Sequence, residues 1–157
     1  MAMEIFEMAR NLELEGKALY EKRAKVTKSE NLKKVLNMIA KVEENHFDLF
    51  VEIQKNKKAG PIKHVDFKIA KQAFGVLRDE KFTNEEIKDF EKMLVVEKKS
   101  EDYYKLHAND VSANTELILE IAKEEHRHYV LIQNLIELLR RPKQWVESEE
   151  FKRLDNY

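Results

Sequence analysis

The chain has 157 residues, 43% apolar and 38% charged, with a net charge of -1 and no Cys. That length suits one domain, the apolar share excludes disorder, and only 3 Gly and 2 Pro leave too little turn punctuation for a many-stranded fold. The missing Cys excludes disulfides, iron–sulfur clusters and thiol nucleophiles, and the balanced charge speaks against a nucleic-acid partner.

Helical periodicity begins at about Ala2 and ends at Val26. This N-terminus is amphipathic rather than signal-like, and no apolar run nears the roughly 18 residues of a membrane span, so a cytoplasmic protein with no membrane partner is expected. Thr27-Lys28-Ser29-Glu30 then offers a Thr-x-x-Glu capping box to a second helix. That helix is expected to reach about Lys57, with Leu32, Leu36, Ile39, Leu49 and Ile53 in its apolar row and Ala59-Gly60-Pro61 as its stop.

The connection from about Lys58 to Phe82 is long and should hold a short helix near Val65 to Leu77. A helix of about 25 residues is roughly 38 Å long, and about 12 extended residues return that distance, so this segment suffices for a crossover. A third long helix starts at Thr83, where Glu86 completes a second capping box, and runs to about Ala108. The fourth follows Asn114 or Thr115 and runs to Arg140 and Arg141, where Pro142 stops it. Short first and third connections make antiparallel hairpins, joined by the long crossover: an all-α, ferritin-like four-helix bundle over about 2–141 in a single domain of 1–157. The tail, about 142–157, carries Trp145, Val146 and Phe151 and is expected to lie against the bundle.

The apolar stripes are interrupted in a repeated way. On the second helix Glu43 and His46 fall in line with Ile39 and Ile53; on the fourth, Glu125 and His128 fall among Leu117, Ile121, Ile132 and Leu135. Residues three apart share a helical face, so each Glu-x-x-His presents both side chains inward. The first and third helices match each other as well, Glu13 being followed by Gly16 and Tyr20, and Glu97 by Ser100 and Tyr104. The small residues leave room for an ion beside each carboxylate. Glu13 is preferred to Glu15 because only Glu13 shares a row with Gly16 and Tyr20.

Four buried carboxylates and two imidazoles would cost several kcal/mol per ion as bare groups, so compensating cations are implied. One Glu from each of two helices plus a Glu-x-x-His from each of the others is the ligand set of di-iron and di-manganese bundles. Two divalent ions balance the four carboxylates. Glu-x-x-His alone says little in so Glu-rich a chain; its place on the stripe, its repetition and the preceding Glu–Tyr pairs make it specific. Tyr20 and Tyr104 are expected to hydrogen-bond ligand carboxylates, with Tyr103 a competitor for the latter role. Glu44, Glu124 and His126 are expected in solvent, His64 and His107 at the surface or at a helix end, and Glu101 points inward with no assigned role.

The segments Leu12 to Tyr20, Glu43 to His46, Glu97 to Tyr104 and Glu125 to His128 resemble the four metal helices of the rubrerythrin-like branch of the ferritin-like superfamily, and Trp145 to Phe151 is similar to the tail of its small members. The resemblance spans essentially the whole chain. It implies a centre of two Fe ions, with Mn or Zn as alternative ions, held by Glu13, Glu43, His46, Glu97, Glu125 and His128, in which Glu43 and Glu125 bridge and each His serves one iron. It further implies an oxidoreductase, a peroxidase or ferroxidase, that reduces hydrogen peroxide or dioxygen while oxidising ferrous iron in protection against oxidative stress. Two departures stand out. Without Cys the chain has no rubredoxin-type iron site, so an external electron donor such as a separate rubredoxin and its reductase is expected. Ser100 stands where rubrerythrins carry an extra Glu, with Glu101 next to it. A homodimer, with or without exchanged hairpins, is expected. Ferritin-like iron oxidation and storage is the rival function, and a purely structural bundle with a vestigial site is the third.

Overall fold

The computed structural model describes residues 2–77 and 80–140. They form an all-α structure of five helices packed in a bundle: α1 (Ala2–Val26), α2 (Glu30–Gln54), α3 (Phe67–Leu77), α4 (Asn84–His107) and α5 (Thr115–Arg140), with two short 3-10 turns between α4 and α5. Arg141, Pro142 and the tail with Trp145, Val146 and Phe151 lie outside the described residues. Among the described residues, no helix is long and apolar enough to cross a membrane.

The helix ends follow from local hydrogen bonding, and three differ from expectation. Ser29, not Thr27, caps α2: its backbone is extended and its Oγ accepts from the Leu32 amide at 3.2 Å. The Thr27 amide still bonds the Arg23 carbonyl, 3.0 Å away, so Thr27 closes the preceding helix and is not free to open the next. At its other end α2 stops at Gln54, before Gly60, because Asn56 adopts a φ of 57°. Its amide bonds the Ile53 carbonyl, and the Lys57 amide bonds that of Glu52, which is the Schellman pattern. Helix α3 begins at Phe67 rather than Val65, since the Asp66 carboxylate accepts from the Lys68 and Ile69 amides. Thr83 and Glu86 form the capping box that the sequence announces.

Cross-helix pairs set the directions. Tyr20 and Arg23 of α1 meet Glu97 and Asp89 of α4, whereas Glu13 meets Tyr104, so α1 and α4 are antiparallel. Glu43 meets His128 and His46 meets Glu125, which makes α2 and α5 antiparallel too. Helix α3 packs on α2 and α5. The interior divides into two apolar layers. One contains Leu32, Leu36, Ile39, Phe74, Phe90 and Leu135, and the other Phe6, Leu49, Phe50, Ile118 and Ile121. Each large buried side chain contributes about 1.5–3 kcal/mol, so these layers are what can sustain an unfavourable polar centre between them.

Candidate metal centre

Between the layers Glu13, Glu43, Glu97 and Glu125 are each 1% exposed, and His46 and His128 are fully buried. Ligand-capable atoms of Glu13, Glu43, His46 and Glu125 all lie within 4.8 Å of one another, as do those of Glu43, Glu97, Glu125 and His128. The two groups therefore overlap, sharing Glu43 and Glu125. All six residues singled out by the sequence come together here.

The hydrogen bonds are reciprocal. His46 Nδ1 lies 2.9 Å from Glu125 and 3.5 Å from Glu13, and His128 Nδ1 lies 3.2 Å from Glu43 and 3.4 Å from Glu97. The two imidazoles are nearly parallel, with centroids 6.4 Å apart. Tyr20 donates to Glu97 at 3.1 Å and Tyr104 to Glu13 at 2.8 Å, so each phenol serves the carboxylate of the opposite hairpin. Burial, reinforced by the neighbouring carboxylates, pushes both phenols well above their ordinary value and keeps them protonated as donors. Tyr103 instead packs on His107, its ring centroid 4.4 Å away. Of the two adjacent tyrosines of α4, Tyr104 is therefore the one that bonds a carboxylate of the cluster.

Burial pushes Glu13 and Glu97 well above the usual carboxylate range, and repulsion from Glu125 and Glu43 pushes further. Burial acts on Glu43 in the same sense but is outweighed by hydrogen bonds from Glu13 and His128, so Glu43 falls below its ordinary value. His128 is held well above 6.5 although burial opposes this, because Glu97, Glu124 and Glu43 surround it. Without cations, the cluster thus sheds charge by taking up protons. Glu13 Oε2 and His46 Nε2 find no hydrogen-bond partner among the described residues, and Glu97 Oε2 has only the 3.4 Å ion-pair contact with His128 Nδ1. Two overlapping sets of oxygen and nitrogen donors, with the Glu13 Oε2 unpartnered, fit a pair of cations, and the donor chemistry suits first-row metals.

Gly16 brings α1 close to a carboxylate of α2. A Cβ at this position would lie 3.3 Å from the Glu43 carboxyl carbon, so the missing side chain makes room for Glu43 itself. A mid-helix Gly costs roughly 0.5–1 kcal/mol relative to Ala, and the close approach of a ligand-type carboxylate is what it permits.

Several neighbours stay outside both groups. Glu15, Glu44 and His126 are exposed. Glu101 is 3% exposed yet does not join the cluster; it pairs with Lys105 and with His126 Nδ1. His107 pairs with Asp110 near the end of α4. Glu124 overturns its expected place in solvent. It is fully buried and bonds His128 Nε2 at 2.8 Å, His64 Nδ1 at 2.9 Å and the Val65 amide at 2.8 Å, as well as Arg127. The crossover covers this flank of α5, which helical periodicity alone cannot show. The signal that could have found it is its separation of four from His128, a same-face spacing. No family model, curated protein or solved structure matches the chain.

Metal-free protein should be most stable at mildly acidic pH. Glu13 and Glu97 have raised values, so their contribution falls as pH rises above the ordinary 4.5. That of His128 is complete below 6.5 and is lost as pH rises through its higher folded value. Glu43 and Glu124 are lowered, the latter to about 2, and their contribution disappears as pH falls below 4.5. Chemical denaturation of chelated protein from pH 4 to pH 9 should therefore show a maximum near pH 4.5 and a fall that steepens above about 6.5. A stability that keeps rising to pH 9 would contradict these shifts.

Proposed function

We propose that the chain is a ferritin-like di-iron carboxylate oxidoreductase of the rubrerythrin kind, reducing hydrogen peroxide or dioxygen with electrons from a separate donor. The observation that carries this reading is the pair of buried Glu/His groups sharing Glu43 and Glu125. The antiparallel pairings of α1 with α4 and of α2 with α5, joined by a long crossover, support the ferritin-like topology. Glu13, Glu43, His46 and Glu125 would hold one ion and Glu43, Glu97, Glu125 and His128 the other, with Glu43 and Glu125 as bridges. Iron is the ion proposed.

Reducing one peroxide to two waters takes two electrons and two protons, and a pair of ferrous ions supplies the two electrons when bound. The protein's own part is positional and electrostatic. Tyr20 and Tyr104 hold Glu97 and Glu13 in fixed orientations, and the apolar layers exclude bulk water from the centre. His128 would give up its Nδ1 proton to solvent when a cation binds, keep Nε2–H on Glu124, and turn the Nδ1 lone pair to the ion on the side of Glu43 and Glu97.

Protein loaded anaerobically with two ferrous ions per chain and mixed with one equivalent of hydrogen peroxide should oxidise in a single fast phase and then stop. With no Cys available as a relay, steady turnover should need an added rubredoxin and its reductase. Oxidation faster with peroxide than with dioxygen, and no mineral under excess iron, is the expected outcome. The storage alternative gains if dioxygen drives many irons per chain into a soluble core.

A further inference from the structure

We infer that the two metal positions are unequal, and that the crossover makes them so by clamping Glu124 behind His128; this rests on the metal-centre reading above. The centre is symmetric in residue type but not in what stands behind its histidines. Both rings turn Nδ1 towards the carboxylates, which leaves Nε2 facing away. Behind His128, Nε2 meets the Glu124 carboxylate at 2.8 Å. Behind His46, Nε2 has no hydrogen-bond partner among the described residues.

A carboxylate can only accept, so Glu124 fixes the proton of neutral His128 on Nε2 and leaves the Nδ1 lone pair free for a cation. It also locks the ring's rotation and raises its basicity. Such backing is worth about 10- to 100-fold in metal affinity. His46 has neither the fixed tautomer nor the rotational lock.

Glu124 is itself held by the crossover. Its Oε1 accepts from His64 Nδ1 at 2.9 Å and from Arg127 Nη1 at 2.6 Å, and its Oε2 accepts from the Val65 amide at 2.8 Å. Arg127 reaches on to the Val65 carbonyl at 2.9 Å, and its guanidinium lies 4.4 Å from the centre of the Phe67 ring. On the other flank, Asn45, between Glu43 and His46 in sequence, bonds the Lys63 amide and the Pro61 carbonyl. The segment 61–67 therefore grips the outer faces of both Glu-x-x-His helices, but only on α5 does the grip continue into a ligand. A cation at the His128 position should in turn tighten the segment, because such coupling is reciprocal.

Metal-free protein titrated anaerobically with Co2+, followed by calorimetry and visible absorption, should fill in two steps, the first at least tenfold tighter. Removal of His128 by His128→Ala should abolish the tight step, and His46→Ala should abolish the weak one. Two identical sites that merely repel each other would instead keep a tight step in both variants. Glu124→Gln should weaken the first step 10- to 100-fold and leave the second unchanged, while His64→Ala should weaken it by a smaller factor. Hydrogen exchange at the Val65 amide should slow with the first equivalent of Co2+ in the parent chain, an observation that does not depend on any variant folding. Equal steps in the parent, equal weakening of both steps by Glu124→Gln, or no change at Val65 would overturn the inequality while leaving the metal centre standing. A parent chain that binds no Co2+ would overturn both.

Discussion

Metal-loaded protein should unfold about 10 °C above the chelated protein at neutral pH. The centre confines four carboxylates in an interior that raises the values of two of them, so the cation-free fold must either keep repelling charges or bind protons. A ligand that binds only the folded chain stabilises it by about 4 kcal/mol at a thousandfold excess over its dissociation constant. For a chain of this length each kcal/mol shifts the midpoint by about 2–4 °C. Paired thermal scans, with metal content measured on the scanned samples, provide the check. Equal midpoints after confirmed metal loss would mean that the carboxylates already have sufficient partners without cations.

Glu97→Gln should move stability and binding in opposite directions. Glu97 is 1% exposed, its ordinary ionisation is opposed by burial and by Glu125 and Glu43 more than His128 supports it, and its Oε2 has only a 3.4 Å contact, with His128 Nδ1. A Gln keeps the volume and can still accept from Tyr20, while removing the charge. The metal-free variant should gain about 0.5–2 kcal/mol, the range usual when a functionally strained position is relaxed. Its metal content should fall from two ions per chain to one or none. Urea unfolding of chelated samples and elemental analysis of loaded ones measure the two effects. His126→Ala is the control, since His126 is exposed and outside both groups, and it should retain the metal. A Glu97→Gln protein that is less stable without metal and still holds two ions would remove Glu97 from the centre.

What could be read in the sequence was whatever depends on helical phase. Glu43 with His46 and Glu125 with His128 interrupt otherwise aliphatic rows, and a side chain in line with buried neighbours has little choice but to be buried. For the same reason Glu13 could be told from Glu15, the former 1% exposed and the latter in solvent. Phase also places Glu101 inward, correctly as to burial, but it cannot say that His126 and Lys105 take up its carboxylate. Glu124 was missed because its cover comes from His64 and Val65, some 60 residues away along the chain. The end of α2 was missed because Gly and Pro drew attention to residues 59–61, although Asn56 also tolerates the left-handed backbone.

The reciprocity of the polar centre bears on how the helices find their axial register. Aliphatic rows are forgiving: Leu32, Leu36 and Ile39 could pack almost as well if α2 slid by one turn, about 5.4 Å, along its neighbours. The centre removes that tolerance. After such a slip, Glu43 and His46 would lose His128 and Glu125, and a like slip of α1 along α4 would part Tyr20 from Glu97 and Tyr104 from Glu13, leaving buried charges against hydrocarbon. Because every one of these partners sits on a different helix, the group that strains the core most also admits only one alignment of the bundle.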